Sequence, residues 1–418
     1  METLGQHGRP VDDVIGELKD KRRNDVRWED GRTFGMVYDG GPEVREVAER
    51  AASIYLHENA LNTKAFPSLA SIQSEVVGWT AGLLNGPDTA SGFLTSGGTE
   101  SILCAVKAAR ERARIERGIT EPEMIVAASG HAAFHKGAHL FGLKLHKAPV
   151  NDDWTADVDA IAERVTENTV LIVGSAPQYP QGVIDDIPRI AALAADAGAN
   201  CHVDGCMGGF VLPFAERLGR DVRPWDFRVD GVTSISADIH KLGYAPKGVS
   251  VIVHRTKELR RYQTFVFDDW LGGFYASPNL QGTRSGLPMA AAWAVMQHLG
   301  IDGYMKLTEI TLQNADQMRD GIATIDGIRV LGDGRFHLVA MSNEPDDPDP
   351  IDMFALGDAL ERVGWFHDRQ TPPDSLHSTV SNSNTGVIER YIEALRSCVD
   401  EIRGVTADDR STNYATLE

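Results

Sequence analysis

The stretch VTSISADIHKLGYAPKGVSVIVH (232–254) decides the reading of this chain. Two β-prone runs, 232–237 and 249–254, flank a turn that carries Lys241 just past a Ser/Asp/His cluster. Upstream, HVDGCMGGF (202–210) sets a lone Asp204 at the end of another apolar run. A lysine and an aspartate in these positions are what pyridoxal phosphate (PLP) chemistry needs. The amine attaches to the cofactor aldehyde as a Schiff base, and the carboxylate keeps the pyridine nitrogen protonated, so that the ring accepts electrons from a carbanion. Lys241 must shed its charge to attack, which calls for desolvation or for neighbouring cations, and His240 and Lys247 qualify. Ser236 and Asp238 are expected to order the turn.

Outward from this stretch, short β-prone runs at 124–128, 143–148, 170–175 and 200–205 alternate with helical stretches at 131–141, 157–166 and 188–198. Such alternation predicts an α/β fold, a mainly parallel sheet with helices on both faces, whose ligands bind outside the carboxyl ends of the strands. Segment 99–117 reads as a long helix with Ile102, Val106 and Ala109 on one stripe, ended by Gly118. Residues 1–64 read as an N-terminal arm and 65–300 as the large PLP-binding domain. Residues 301–410, with a helix at 303–325, form a smaller α+β C-terminal domain, and the tail 405–418 is expected to fray.

A formal net charge of −19 argues against nucleic acid or an anionic membrane as partner, so a phosphorylated ligand needs locally focused positive charge. The four cysteines, Cys104, Cys201, Cys206 and Cys398, lack zinc spacing and read as reduced thiols. No run of about 18 apolar residues occurs, which predicts a protein without a membrane span.

TSGGTES (95–101) supplies the phosphate site. Gly97 and Gly98 allow close backbone approach where a loop enters a helix, and the freed N–H groups and helix dipole there favour an anion; Thr99 adds a hydroxyl. An ordinary glycine turn with a Thr cap is the bland alternative, outweighed by Lys241 and Asp204. In HAAFHKGAH (131–139) the histidines recur every fourth residue, a span of about 12 Å, too far for one metal ion. No metal is expected; His131 alone is the candidate plane to stack on the cofactor ring. In QGTRSG (281–286), another small/hydroxyl loop, Thr283 is a candidate to close the phosphate site from a second subunit, with a plain loop left open on spacing alone.

The strings GRTFGMVY, TSGGTESILCAVKAAR, HAAFHK, APQYPQGVID, HVDGCMGGF, DFRVDGVTSISADIHKLGYAPKG and GGFYASPNLQGTR together resemble the sphingosine-1-phosphate lyase family, group II decarboxylase-like enzymes of PLP fold type I. The resemblance runs from about Gly31 to about residue 400 and lacks the eukaryotic members' membrane anchor, so a soluble, cytoplasmic, bacterial-type lyase is expected. It implies a homodimer with a shared active site. It assigns cofactor attachment to Lys241, the pyridinium contact to Asp204 and the ring stack to His131. The phosphate falls to Gly98, Thr99 and His240, with Gly282 and Thr283 across the interface. Tyr38 and Lys247 take the positions linked to substrate phosphate and catalysis. The chain departs from the pattern at Asn62 and Gln181, where the family has histidines, and at Gly205. Asn62 cannot titrate, which bears on substrate binding. The implied reaction is retro-aldol cleavage of a phosphorylated long-chain 2-amino-3-hydroxy base to a fatty aldehyde and ethanolamine phosphate. The alternatives are a group II amino-acid decarboxylase and a PLP-binding protein without turnover.

Overall fold

The structure is a computed structural model that describes residues 3–345 and 347–412, so the end of the tail, 413–418, lies outside the described residues. A seven-stranded sheet forms its centre: β1 (Ser91–Thr95), β2 (Glu123–Ala127), β3 (Lys144–Ala148), β4 (Thr169–Ser175), β5 (Asn200–Asp204), β6 (Val232–Ala237) and β7 (Ser250–His254). Their spatial order is β1-β7-β6-β5-β4-β2-β3. Strands β2 to β6 pair parallel, whereas β7 runs antiparallel to both β6 and β1. The reason lies in the connection: β6 returns to β7 through residues 238–249 with no crossover helix, and such a return forces antiparallel pairing. Lys241 sits on that return.

The alternation and the expected strands appear within a residue or two of their sequence positions. Strand β1 was not among them. It is five residues long with Gly92 as its second residue, and a Cβ there would come within 2.1 Å of the Ile252 carbonyl oxygen. Only its pairing with β7 makes it a strand.

Helices cover both faces. The helix Ile187–Asp196 packs Ile187, Ile190 and Ala191 into one apolar cluster with Ile172, Val203 and Ile235. On the other face, the helix Gly98–Arg117 buries Ile102, Val106 and Ala109 against Met124 and Val126, the stripe read from sequence. Each such side chain contributes about 1.5–3 kcal/mol by leaving water.

The helix expected at 303–325 begins earlier: Leu287–Ile322 runs for 36 residues, broken at Gly300 (φ 54°). Beyond it, β10 (Ile328–Leu331), β11 (Leu338–Asn343), β12 (Asp368–Gln370) and β13 (Ser375–Thr379) form an antiparallel sheet, preceded in the chain by a small hairpin of β8 (Phe265–Phe267) and β9 (Tyr275–Ser277). Arm residues 31–39 are stitched to this second sheet. Phe34 is buried against His367 and Tyr391, Thr379 donates its N–H to the Phe34 carbonyl, and Asn384 and Asn382 bond the carbonyls of Gly31 and Asp39. Gly31 is required there: its φ is +72°, and a Cβ would lie 2.5 Å from the Ser383 carbonyl oxygen.

Candidate active site

The carboxyl ends of β1, β2, β5 and β6 converge on one cleft of about 330 Å³. Gly97, Gly98 and Thr99 follow β1, His131 follows β2, and His240 and Lys241 follow β6; all six line it, with Ser96, Cys206 and Asp238. Asp204 is the last residue of β5, 7% exposed, and its Oδ1 accepts from the Cys206 N–H at 3.0 Å and the Ser236 hydroxyl at 3.3 Å. Behind it, His202 bonds Ser234 through Nδ1 at 2.9 Å and lies 3.3 Å from the Ser236 hydroxyl through Nε2. A buried carboxylate so held is poised for a cationic ligand.

Lys241 Nζ stands 2.9 Å from Asp238 Oδ2. Asp238, expected only to order the turn, is thus the lysine's ion-pair partner. Burial alone would raise its carboxyl, but the Lys241 and His240 charges and the Ser250 hydroxyl hold it below the ordinary value. The His131 Nδ1 accepts from the Ala133 N–H at 3.1 Å, which leaves the ring's other nitrogen to carry the proton; burial lowers its pKa and keeps the ring neutral. His240 is pushed down to about 4, chiefly by burial.

Lys247 and Tyr38 line an adjoining apolar cleft of about 310 Å³ with Trp28, Val44 and Tyr244. The Lys247 amine lies 4.6 Å from the Tyr38 ring centroid and donates to the His240 carbonyl at 2.9 Å. Burial, then repulsion from Lys241, brings it down to about 8. An amine so tuned exchanges protons near neutral pH.

Asn62, Gln181, Gly282 and Thr283 lie outside these two clefts. Asn62 is exposed and caps its own turn, accepting from the Lys64 and Ala65 N–H groups. Gly282 and Thr283 are exposed on a loop. Gln181 is buried in a reciprocal pair with Gln178. Sequence reasoning missed Asp238 as a reactive-site group, although its spacing of three from Lys241 was the available signal. It also missed Cys206, which the short HVDGC turn folds back under Gly98.

The residues fit PLP. A Cβ on Gly98 would fall 2.7 Å from Asp238 Oδ2 and 2.8 Å from Cys206 Sγ, so only glycine opens the cradle at the start of that helix, where the first N–H groups have no helical acceptor. The buried His240 Nδ1 has no partner among the described residues and faces the same region. Lysine amine, strand-end carboxylate, neutral imidazole and helix N-terminus are the complete donor set for that cofactor. Fold and site define a PLP enzyme of fold type I.

Comparison with known proteins agrees. The pyridoxal-dependent decarboxylase conserved domain matches residues 3–343. Sphingosine-1-phosphate lyase of Arabidopsis thaliana is 39% identical over 410 residues, 96% of this chain and 74% of the plant protein. The structure of a Burkholderia pseudomallei sphingosine-1-phosphate lyase superposes with a TM-score of 0.92 at 39% identity, covering 97% of this chain and 94% of that one. An L-aspartate decarboxylase of Thermococcus kodakarensis is 33% identical over 360 residues, 86% of this chain and 90% of that protein. The chain belongs to the sphingosine-1-phosphate lyase family, within the pyridoxal-dependent decarboxylases, and is a PLP-dependent carbon–carbon lyase.

Proposed function

We propose that this protein cleaves the Cα–Cβ bond of a phosphorylated long-chain 2-amino-3-hydroxy base, giving a fatty aldehyde and ethanolamine phosphate. The observation that carries this reading is Lys247. Its amine is brought to about 8 beside Lys241 and the Tyr38 ring, so a base of suitable strength stands next to the cofactor lysine. Bound PLP supplies the sink for the electrons of the broken bond. Lys241 Nζ would hold the cofactor. Asp204 would keep its pyridine nitrogen protonated, and the neutral His131 ring would lie against it. Gly97, Gly98, Thr99 and His240 bind the phosphate, with Ser236 holding Asp204. Lys247 Nζ takes the 3-hydroxyl proton, whose loss starts the cleavage, and Tyr38 and Lys247 orient the substrate phosphate. Asn62 reaches a substrate only from a neighbouring subunit.

The same reading makes the protein a cytoplasmic homodimer with a shared active site. Supporting it, Trp270, Leu271 and Phe274 are exposed on the hairpin loop that precedes Gly282 and Thr283, an apolar surface suited to a second copy. The four cysteines are free and buried, as suits a reducing compartment. We also keep the division into arm (1–64), large domain (65–300) and small domain (301–410).

The test is product analysis with phosphorylated and unphosphorylated sphingoid bases beside a panel of amino acids. Release of long-chain aldehyde from the phosphorylated base supports the reading. Carbon dioxide from an acidic or aromatic amino acid, without aldehyde, makes the protein a decarboxylase instead. Borohydride reduction followed by peptide mapping checks Lys241 separately: an adduct on any other lysine overturns its role.

A further inference from the structure

Asp238 is a buried carboxylate that lines the cleft and faces Lys241 with one oxygen while Ser250 holds the other. It lies just past β6, 2% exposed, and its Oδ2 is 2.9 Å from Lys241 Nζ and 3.8 Å from His240 Nε2. Its Oδ1 accepts from the Ser250 hydroxyl, which also bonds the Ala237 carbonyl at 2.9 Å. Gly98 lies so close on a third side that a Cβ there would fall 2.7 Å from Oδ2. The carboxylate is therefore fixed from three sides and aimed at the reacting nitrogen.

The surrounding charges are few. From the return between β6 and β7 come His240, Lys241 and Lys247; from the far side come His131, Cys206 and, beyond it, Asp204. Glu100, in the first turn of the Gly98 helix, is engaged by the N–H groups of Ser96 and Leu280. Asp204 is satisfied by Cys206 and Ser236 and is reserved for the pyridine side. Of Asp204, Asp238 and Glu100, Asp238 is the one whose oxygen stands 2.9 Å from the Lys241 amine.

We propose that Asp238 is a catalytic residue, the charge partner of Lys241, which stabilises the lysine as an ammonium whenever its nitrogen is not bonded to the cofactor and so sets the pH at which that nitrogen becomes neutral. Loss of the carboxylate removes the negative charge 2.9 Å from a buried ammonium, and such a group gives up its proton at lower pH. The proposal rests on Lys241 being the cofactor lysine, which the borohydride mapping decides independently of any substrate.

Competitive acetylation of the cofactor-stripped full chain, followed by peptide mass spectrometry, reads the fraction of neutral Lys241 against pH, with exposed lysines as internal reference. Asp238→Asn should raise acetylation of Lys241 at pH 7.5 by about tenfold or more, the lower end of the effect of an opposite charge at this distance. Asp238→Glu should restore most of the wild-type profile. In the holoenzyme, the pH at which the visible band of the lysine-bound cofactor changes should fall in Asp238→Asn. If Asp238→Asn does not fold, the wild-type protein decides: with the carboxylate 2.9 Å away, the neutral fraction of buried Lys241 at pH 7.5 should be no larger than that of the exposed reference lysines. Unchanged acetylation in the folded Asn variant, or a wild-type Lys241 with a larger neutral fraction than the exposed lysines, overturns the proposal.

Discussion

Lowering the pH from 7 to 5 should destabilise this protein far more than its surface charge suggests. His202, His254, His337, His367 and His377 are all buried, and burial pushes the first two down to about 4 and the other three to about 3. Their value in the unfolded chain is about 6.5, so below that pH the unfolded state binds protons that the folded state refuses. A group depressed on folding contributes its full stability above 6.5 and loses it as the pH falls. At pH 5 each histidine costs about 2 kcal/mol relative to neutral pH, and five cost about 9. Asp185 acts in the opposite sense: burial raises it to about 6, and its protonation between pH 7 and 5 returns about 1 kcal/mol. The net loss of about 8 kcal/mol rivals the whole stability of an ordinary domain, about 5–15. Urea unfolding followed by far-UV circular dichroism at pH 7, 6 and 5 measures it. His367, whose Nδ1 lies 3.0 Å from the Ser378 hydroxyl and whose ring stacks on Phe34, is the site for a control. In His367→Leu the fall between pH 7 and 5 should shrink by about 2 kcal/mol. Equal midpoints at pH 7 and 5, or a His367→Leu slope matching wild type, would refute the reasoning.

Gly98→Ala forces a methyl against Asp238 and Cys206; we expect about 1–3 kcal/mol less stability and weaker cofactor binding, read by urea midpoint and cofactor titration. The limiting rate should rise with pH through about 8 as the Lys247 amine becomes neutral, and Lys247→Arg should abolish that limb, with a surviving limb removing Lys247 as the base. Tyr38→Phe should lower turnover and leave cofactor affinity unchanged; full activity takes its hydroxyl out of the mechanism. Asp204→Asn should cost about a hundredfold or more in rate by removing the charge opposite the pyridine nitrogen, in a protein that still reacts with borohydride at Lys241.

Much of the site was legible because its residues sit at strand ends with short, distinctive spacings. Lys241, Asp204, His131 and the Gly97–Thr99 turn are each read from a few neighbouring residues, and the parallel sheet then brings their strand ends together. What was illegible depended on distant pairing. Strand β1 has no pattern of its own, and β7 reverses direction because of what the connection before it lacks. Asp238 looked like a turn-former since its partner is decided by side-chain direction. The tie between Phe34 and the second sheet joins residues more than 300 positions apart, with nothing periodic to announce it. Gly282, Thr283 and Asn62 are exposed and lie outside both clefts, so nothing among the described residues of this chain ties them to the site.

The stitching of residues 31–39 to the C-terminal strands has a mechanical meaning. Tyr38 packs on the core of the large sheet but lies between Phe34 and Asp39, which are bonded to β13 and to residues 382–383 just after it, while Lys241 and Asp238 sit on the return between β6 and β7 of the other sheet. Any rocking of the smaller sheet would therefore widen or narrow the gap between Tyr38 and Lys247 and leave the cofactor seat still. Fluorescent labels on the two sheets would register such breathing on substrate addition, and a fixed separation throughout turnover would show the enzyme to work as a rigid frame.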